Sequence, residues 1–466
     1  MNRLTIAAVL LSSLIGASAQ ATEYRSGAEQ RSSLSLTVYN GGRALVREQR
    51  RLPLASPTDR IALMDVPQRI LPQTLSLQGL PVREQNYDFD LLTPQTLLQK
   101  HVGRRVRLAR RSRDSGETLE WTRARVLAVN GGVILRLDDG RIETLPSDGT
   151  YRIVYEELPP NLRERPTLSL RLSEAVSGNR DIRLDYLTGG LGWSSDYVLR
   201  LSADGDSGRL VDWITVDNQS GAAYRNARLQ LLAGDVNTVS TRNPPQRKVM
   251  AMAAEVMDAP VQRESIGGFH LYSLPYATDL KDKQKKQLQL FARDAVPLER
   301  FLVDRAWFGG YSSQPQKSKP ELKLRLSNRE PALGLPLPAG IVRVYGPDSQ
   351  GRTQFLGEDR IGHTAVNDTV TLTLGRSFDV SVQRRSTDYR QISKKQQRIT
   401  REILVNNGGE QQQSLKLYET LPGLDWQVLS ANRKWSKASP QELLFDLNLP
   451  PKSQLRIEYQ VEIRQP

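Results

Sequence analysis

Apolar and polar residues alternate with a period of two through most of this 466-residue chain, a rhythm that suits half-buried strands and little else. Near the C-terminus Leu455, Ile457, Tyr459, Val461 and Ile463 interleave with Arg456, Glu458, Gln460, Glu462 and Arg464, giving one apolar and one polar face. LSLTVY from Leu34, LKLRLS from Leu322, IVRVYG from Ile341, TVTLTLG from Thr369 and LKLYETL from Leu415 repeat the pattern. Helical periodicity is scarce. Its best instance is TPQTLLQKHVG, where Thr93 suits the cap and Pro94 the first helical position. The fold class expected is all-β, and the length calls for a multi-domain β-sandwich protein.

Turn chemistry divides the chain further. RRVRLARR, TRARVLAVNGGVILRLDDGRIETLP and YRIVYEEL are strands joined by Asn130-Gly131-Gly132 and Asp139-Gly140, whose residues tolerate the positive φ of tight hairpins. A meander of about five strands at 93–158 predicts a small SH3-like barrel inserted near the N-terminus, left at Pro159-Pro160. The other expected units are an N-terminal β region at 20–92, a sandwich at 159–240 able to pack with it, and a methionine-containing loop at 241–268. A central sandwich at 269–385 and a C-terminal immunoglobulin-like sandwich at 386–466 complete the division. YSSQPQKSKP from Tyr311 reads as a loop.

The first residues predict a compartment. Arg3 precedes an apolar run from Leu4 to about Gly16, and Ala17, Ala19 and Ala21 follow, which is the pattern of a secretory signal peptide, taken here as 1–19 with cleavage after Ala21 as the alternative. No apolar run reaches the roughly 20 residues that span a bilayer, so no transmembrane segment is expected after cleavage. The expected location is the periplasm or the extracellular space. There is no cysteine, which excludes disulfides, thiolate metal sites, cysteine nucleophiles and a lipid anchor on cysteine. The formal charge of +14 points to an anionic envelope glycan or lipid, or another envelope protein, rather than nucleic acid. Much of that charge alternates with apolar residues, so it also serves as the solvated face of sheets.

Several stretches resemble the bacterial proteins that carry domain of unknown function 4139, a group overlapping the mucoidy inhibitors. They are LTVYNGGRALVREQRRLPL from Leu36, LGWSSDYVLRL from Leu191, VDNQSGAAYRNARLQLLAGD from Val216, LPLPAGIVRVYGPDSQGRTQFLGEDRIGHT from Leu335 and LGRSFDV from Leu374. The resemblance implies β-sandwich domains, an envelope location and no assigned reaction. Mucoidy inhibitors typically carry a coiled coil where this chain has the hairpin-rich segment, so nothing attributed to that coiled coil transfers.

Three groups of residues are candidates for function. Glu358, Asp359 and His363 in GEDRIGHT have the side chains of a metal site or a general acid–base pair, and would serve an envelope hydrolase or metal-dependent enzyme. In extended chain, however, the two acids point to opposite faces, and His363 lies about 13 Å from Asp359. The reading favoured is a polar turn. Met250, Met252 and Met257 offer soft thioethers for copper(I), or an apolar segment that docks on a partner or on the chain itself. Arg104, Arg105, Arg107, Arg110, Arg111 and Arg113 form the densest basic run, equally a docking surface for an anionic glycan or lipid headgroup and a set of edge-guarding charges. ADGDSGR from Ala203 begins like a calcium loop, but Gly208 and Thr215 occupy positions that need oxygen ligands and a glutamate, so a hairpin turn is preferred. His-x-His, nucleophile-elbow, phosphate-loop and dinucleotide patterns are missing, and no cofactor is expected. The function expected is binding or scaffolding in the cell envelope.

Overall fold

A computed structural model describes residues 23–111, 118–146, 151–159, 162–234, 236–237, 262–308, 311–422 and 425–464. The segment 1–19, Met250, Met252, Met257 and Arg113 lie outside these residues, and the Arg111 side chain is not described. Strands make up 69% and helix 3%, so the chain is an all-β, multi-domain sandwich protein.

The first sandwich is built on two long strands, Arg43–Met64 and Thr167–Gly189, which pair antiparallel over most of their lengths with Val46 opposite Tyr186 and Leu52 opposite Arg180. Regions 20–92 and 159–240, set apart on sequence, therefore contribute neighbouring strands to one nine-stranded sheet. The second layer includes Leu191–Leu201, Ser207–Asn218, Gly340–Pro347 and Thr353–Ile361. Leu36, Val46, Ile61 and Leu184 of one sheet and Tyr197, Ile214 and Val344 of the other are fully buried in a single cluster. Alternation places these side chains inward and their charged neighbours outward.

The strand Gln284–Trp307 leaves this sandwich and enters the next. Its first half pairs with Ser207–Asn218, and Leu302–Trp307 runs parallel to Gln413–Thr420 in the C-terminal unit. Between them the register slips, and Ala295 takes a φ of 53°, a bulge that shifts which side chains face inward. The expected central sandwich at 269–385 is thus corrected: its strands are shared between two sandwiches, and its boundary at 385 falls inside Val380–Ser393. Burial decided the outcome, because each half of the long strand finds a different apolar sheet to cover it. The C-terminal core gathers Val382, Ile403, Leu417, Phe445 and Ile457, all fully buried. Arg384 crosses that core to pair with Asp304 and Glu419 at 2.5 Å each, and Tyr459 donates to Glu419 at 3.0 Å.

Three buried asparagines fasten the loops. The Asn218 amide donates to the carbonyls of Ala222 and Lys281, Asn328 to Leu335 and Ala365, and Asn407 to Gln411, Leu449 and Pro450. Each satisfies backbone carbonyls from two different segments and so joins them.

Between the N-terminal strands and Thr167–Gly189 lies a separate five-stranded antiparallel sheet. It begins with the helix Pro94–Lys100, where Thr93 accepts from the Thr96 amide at 3.1 Å as an N-cap. The strands Arg105–Arg111, Thr118–Ala128, Ile134–Leu137, Ile142–Thr144 and Tyr151–Val154 pair only with one another. Their own core is Val106, Leu108, Ala124, Val126, Leu135 and Leu137, with His101 buried beside Tyr155 at 4.6 Å between ring centroids. Among the described residues no helix is long and apolar enough to cross a membrane.

Candidate anion-binding face

The face of the inserted sheet opposite its core is assembled from arginines. In the sequence VRLARR and TRARV, every second position beside a buried Val, Leu or Ala is free to carry charge, and most of these positions are arginine. Pairing then sets the arginines side by side. Arg105 lies opposite Arg125, Arg107 opposite Arg123, and Arg125 in turn opposite Arg136. Arg152 lies opposite Ala109 on the neighbouring strand, which places it on the same face. Six guanidinium groups thus spread over four strands, about 15 Å across at 4.8 Å per strand.

Like charges directly opposed across a ladder repel, by a few tenths of a kcal/mol or more per pair. Sheets that use charge only for solubility alternate its sign. Here no acidic side chain among the described residues pairs with Arg105, Arg107, Arg123, Arg125, Arg136 or Arg152. Arg125 donates to the Gly103 carbonyl at 2.7 Å, and Arg107 stacks over Trp121 at 4.5 Å. Trp121, 50% exposed, lies opposite Ala109 on this face, and Ile142, 59% exposed, lies opposite Arg136 at its margin. Among the described residues the surface therefore combines cations without acidic partners with two exposed apolar side chains.

The arginines singled out on sequence divide between positions. Arg105 and Arg107 lie on this face. Arg104 precedes the strand and is exposed. Arg110 has the opposite parity and approaches Glu120 at 4.0 Å. Arg123, Arg125, Arg136 and Arg152, with Trp121, were missed, although the alternation in TRARV and YRIV carried the signal.

GEDRIGHT supplies the end of Thr353–Ile361 and the turn after it, and its three candidate side chains have separate partners. Glu358 accepts from Arg343 Nε at 3.1 Å, and Arg343 Nη1 donates to Asp196 at 2.9 Å, which holds that guanidinium more firmly charged than usual. Asp359 accepts from the Thr373 amide at 2.7 Å, bracing one strand against the next. His363 Nδ1 accepts from the Ala339 amide at 3.2 Å. Among the described residues no three His, Cys, Asp or Glu side chains are grouped as a metal site. ADGDSGR is a hairpin turn in which Asp204 accepts from Ser202 Oγ and from the Asp206 amide; those bonds, the hydroxyl's first, hold its carboxyl below the usual range. The methionines fall outside the described residues.

No protein-family model matches the chain, and a search of curated proteins finds no match.

Proposed function

We propose that this is an exported cell-envelope binding or scaffolding protein, resembling the family with domain of unknown function 4139, and that its inserted module, read as a small SH3-like barrel, docks on an anionic lipid surface. The observation that carries the reading is the set of three arginine pairs, Arg105 with Arg125, Arg107 with Arg123 and Arg125 with Arg136, left without acidic partners among the described residues. Phosphate-bearing headgroups would relieve that repulsion, each basic residue near such a surface contributing about 1 kcal/mol. Trp121 and Ile142 favour a lipid surface over a soluble polyanionic glycan, since an aromatic ring and an aliphatic side chain beside cations suit the interface between headgroup and acyl chain. The signal-peptide pattern of Arg3, the apolar run from Leu4 and the small residues Ala17, Ala19 and Ala21 supports the location.

The test is co-sedimentation of the mature protein with vesicles of zwitterionic lipid, alone or mixed with phosphatidylglycerol or cardiolipin. Binding to the anionic vesicles that falls as salt rises, and that Arg105→Gln with Arg123→Gln and Arg136→Gln abolishes, is the expected result. Equal binding to zwitterionic vesicles would overturn it, and retention on an anionic polysaccharide alone would move the partner from lipid to glycan. The alternative of an envelope hydrolase using Glu358, Asp359 and His363 gains no support from side chains engaged with separate partners.

A further inference from the structure

A second site lies at one end of the first sandwich, independent of the arginine face. There the turn Ala28–Gln30, the end of Arg43–Met64, the approach to Thr167–Gly189 and the hairpin turns at Gly221 and Asp282 line a solvent-open cleft of about 720 Å³, with Glu29 and Arg225 on its exposed rim. That is within the range of sites that hold small organic ligands. Six charged residues line it: Glu29, Arg31, Asp65, Arg165, Arg225 and Asp282. Between them come small or compact residues such as Ala222, Ala223 and Pro166, which leave the space open.

Three of these charges, Arg31, Asp65 and Arg165, belong to the framework. Arg31, its side chain 9% exposed, is held by Glu48 at 2.5 Å and donates to the Asp65 carbonyl at 2.7 Å. Asp65 accepts from Arg165 at 2.8 Å and from the Ala28 amide at 3.0 Å. Among the described residues no ion pair within 4 Å holds Arg225, Glu29 or Asp282, although Glu29 lies close enough to Arg165 to add to the Asp65 hydrogen bond and field that keep it charged. Each acid uses one oxygen on a backbone amide, Glu29 on Gly27 at 3.2 Å and Asp282 on Gly221 at 3.0 Å, leaving the other for a ligand.

The rim is fixed before anything binds. Asn218 donates to Ala222 and Lys281, joining the two hairpin turns, and Ser220 hydrogen-bonds Asn218 at 2.8 Å and Tyr224 at 3.0 Å. Gly221, at φ 82°, has no room for a side chain because a Cβ would lie 2.6 Å from Gln68. A cleft with a fixed hairpin rim, one available cation and two available carboxylates suits a ligand carrying both an anion and an ammonium group. No aromatic side chain among the described residues lines it, so the stacking platform usual for a nucleobase is missing.

From this arrangement we infer that the cavity binds a short peptide by its two ends, Arg225 taking the terminal carboxylate and Glu29 with Asp282 the terminal ammonium. The carboxylate–guanidinium contact can be bidentate, and each acid offers its remaining oxygen to an N–H.

Calorimetric titration of the mature protein with alanyl-alanine and trialanine, beside their N-acetylated and C-amidated forms, tests it. Saturable binding of a free peptide, weakened roughly ten- to hundredfold by blocking either end, is expected. Asp282→Asn and Glu29→Gln keep an acceptor for the backbone amides, so the rim should persist while affinity for the free ammonium falls; Arg225→Gln should remove the preference for a free carboxylate. Thermal melts of the variants confirm that each remains folded. Binding of neither peptide, equal binding of blocked and free forms, or folded variants with unchanged affinity would each overturn the inference.

Discussion

Glu48 is 1% exposed and holds two guanidinium groups, Arg31 at 2.5 Å and Arg50 at 2.8 Å. Arg50, wholly buried, also donates to the carbonyls of Ser26 and Met64 at 3.0 Å, so one carboxylate organises the junction between the N-terminal residues and the first long strand. Burial raises the nearby Tyr186 hydroxyl well above the ordinary phenol range, and the negative field of Glu48 adds to the effect, so it stays neutral. Glu48→Gln leaves two cations without their counter-charge, and the expected cost is about 3–5 kcal/mol in urea unfolding. A loss under about 1 kcal/mol would show that water reaches the pair. Asp65 makes a pH-dependent contribution. Burial alone would raise its carboxyl, but the Arg165 hydrogen bond and the Ala28 amide outweigh that and hold it below the ordinary aspartate value. The folded state therefore favours the charged form. Its contribution is complete above the unfolded pKa of about 4 and disappears as pH falls through the lower folded value. Melting temperatures of wild type and Asp65→Asn should differ most near neutrality and converge on acidification; a gap that stays constant with pH would refute the assignment.

Individual strands were largely legible in the sequence, because burial of one face leaves a period of two that needs no tertiary information. The strands around Leu34, Leu322, Ile341 and Leu455 and the cap at Thr93 followed from local rules. Which strands become neighbours was not legible. Arg105 and Arg125 are 20 positions apart, and only the register that opposes them turns two ordinary solvent-facing residues into one basic surface. The long strand Gln284–Trp307 hid its role similarly: Leu288, Leu290, Phe291, Val296 and Leu298 pack in the first core and Leu302 in the second, and nothing in the local alternation marks that hand-over. The asparagine fasteners carried only a weak signal, an Asn at the end of an apolar run before a turn. Asn328 illustrates their importance: its amide donates to Leu335 at 2.6 Å and Ala365 at 2.8 Å, and its oxygen accepts from the Leu335 amide at 3.1 Å. Asn328→Ala strands buried backbone groups and should cost about 2–4 kcal/mol by chemical denaturation. A cost near zero would mean that the loop refolds around water.

At the scale of the whole molecule, the inserted module is attached so that it can be removed. The chain leaves for it and returns at adjacent points, where the Leu92 amide donates to the Arg163 carbonyl at 2.9 Å and the Arg163 amide to the Asp90 carbonyl at 3.1 Å. Arg163 also binds Glu23 at 2.7 Å and Asp88 at 3.1 Å, fastening the return point to the first sandwich without help from the module. The module has its own core and its strands pair only among themselves, so the sandwiches do not need it to complete a sheet. Closing a shorter loop between fixed ends changes the entropy of folding only logarithmically with length, by about 0.6 kcal/mol per twofold change. Replacing residues 94–161 with a short Gly/Ser linker should therefore leave the unfolding transition of the remaining chain within about 1–2 kcal/mol of its original position, while salt-sensitive binding to anionic vesicles disappears. The peptide cavity, which lies wholly on the first sandwich, should retain its affinity. Loss of the sandwich transition would show that the module is structural, and retained vesicle binding by the shortened, folded chain would place the basic docking surface elsewhere.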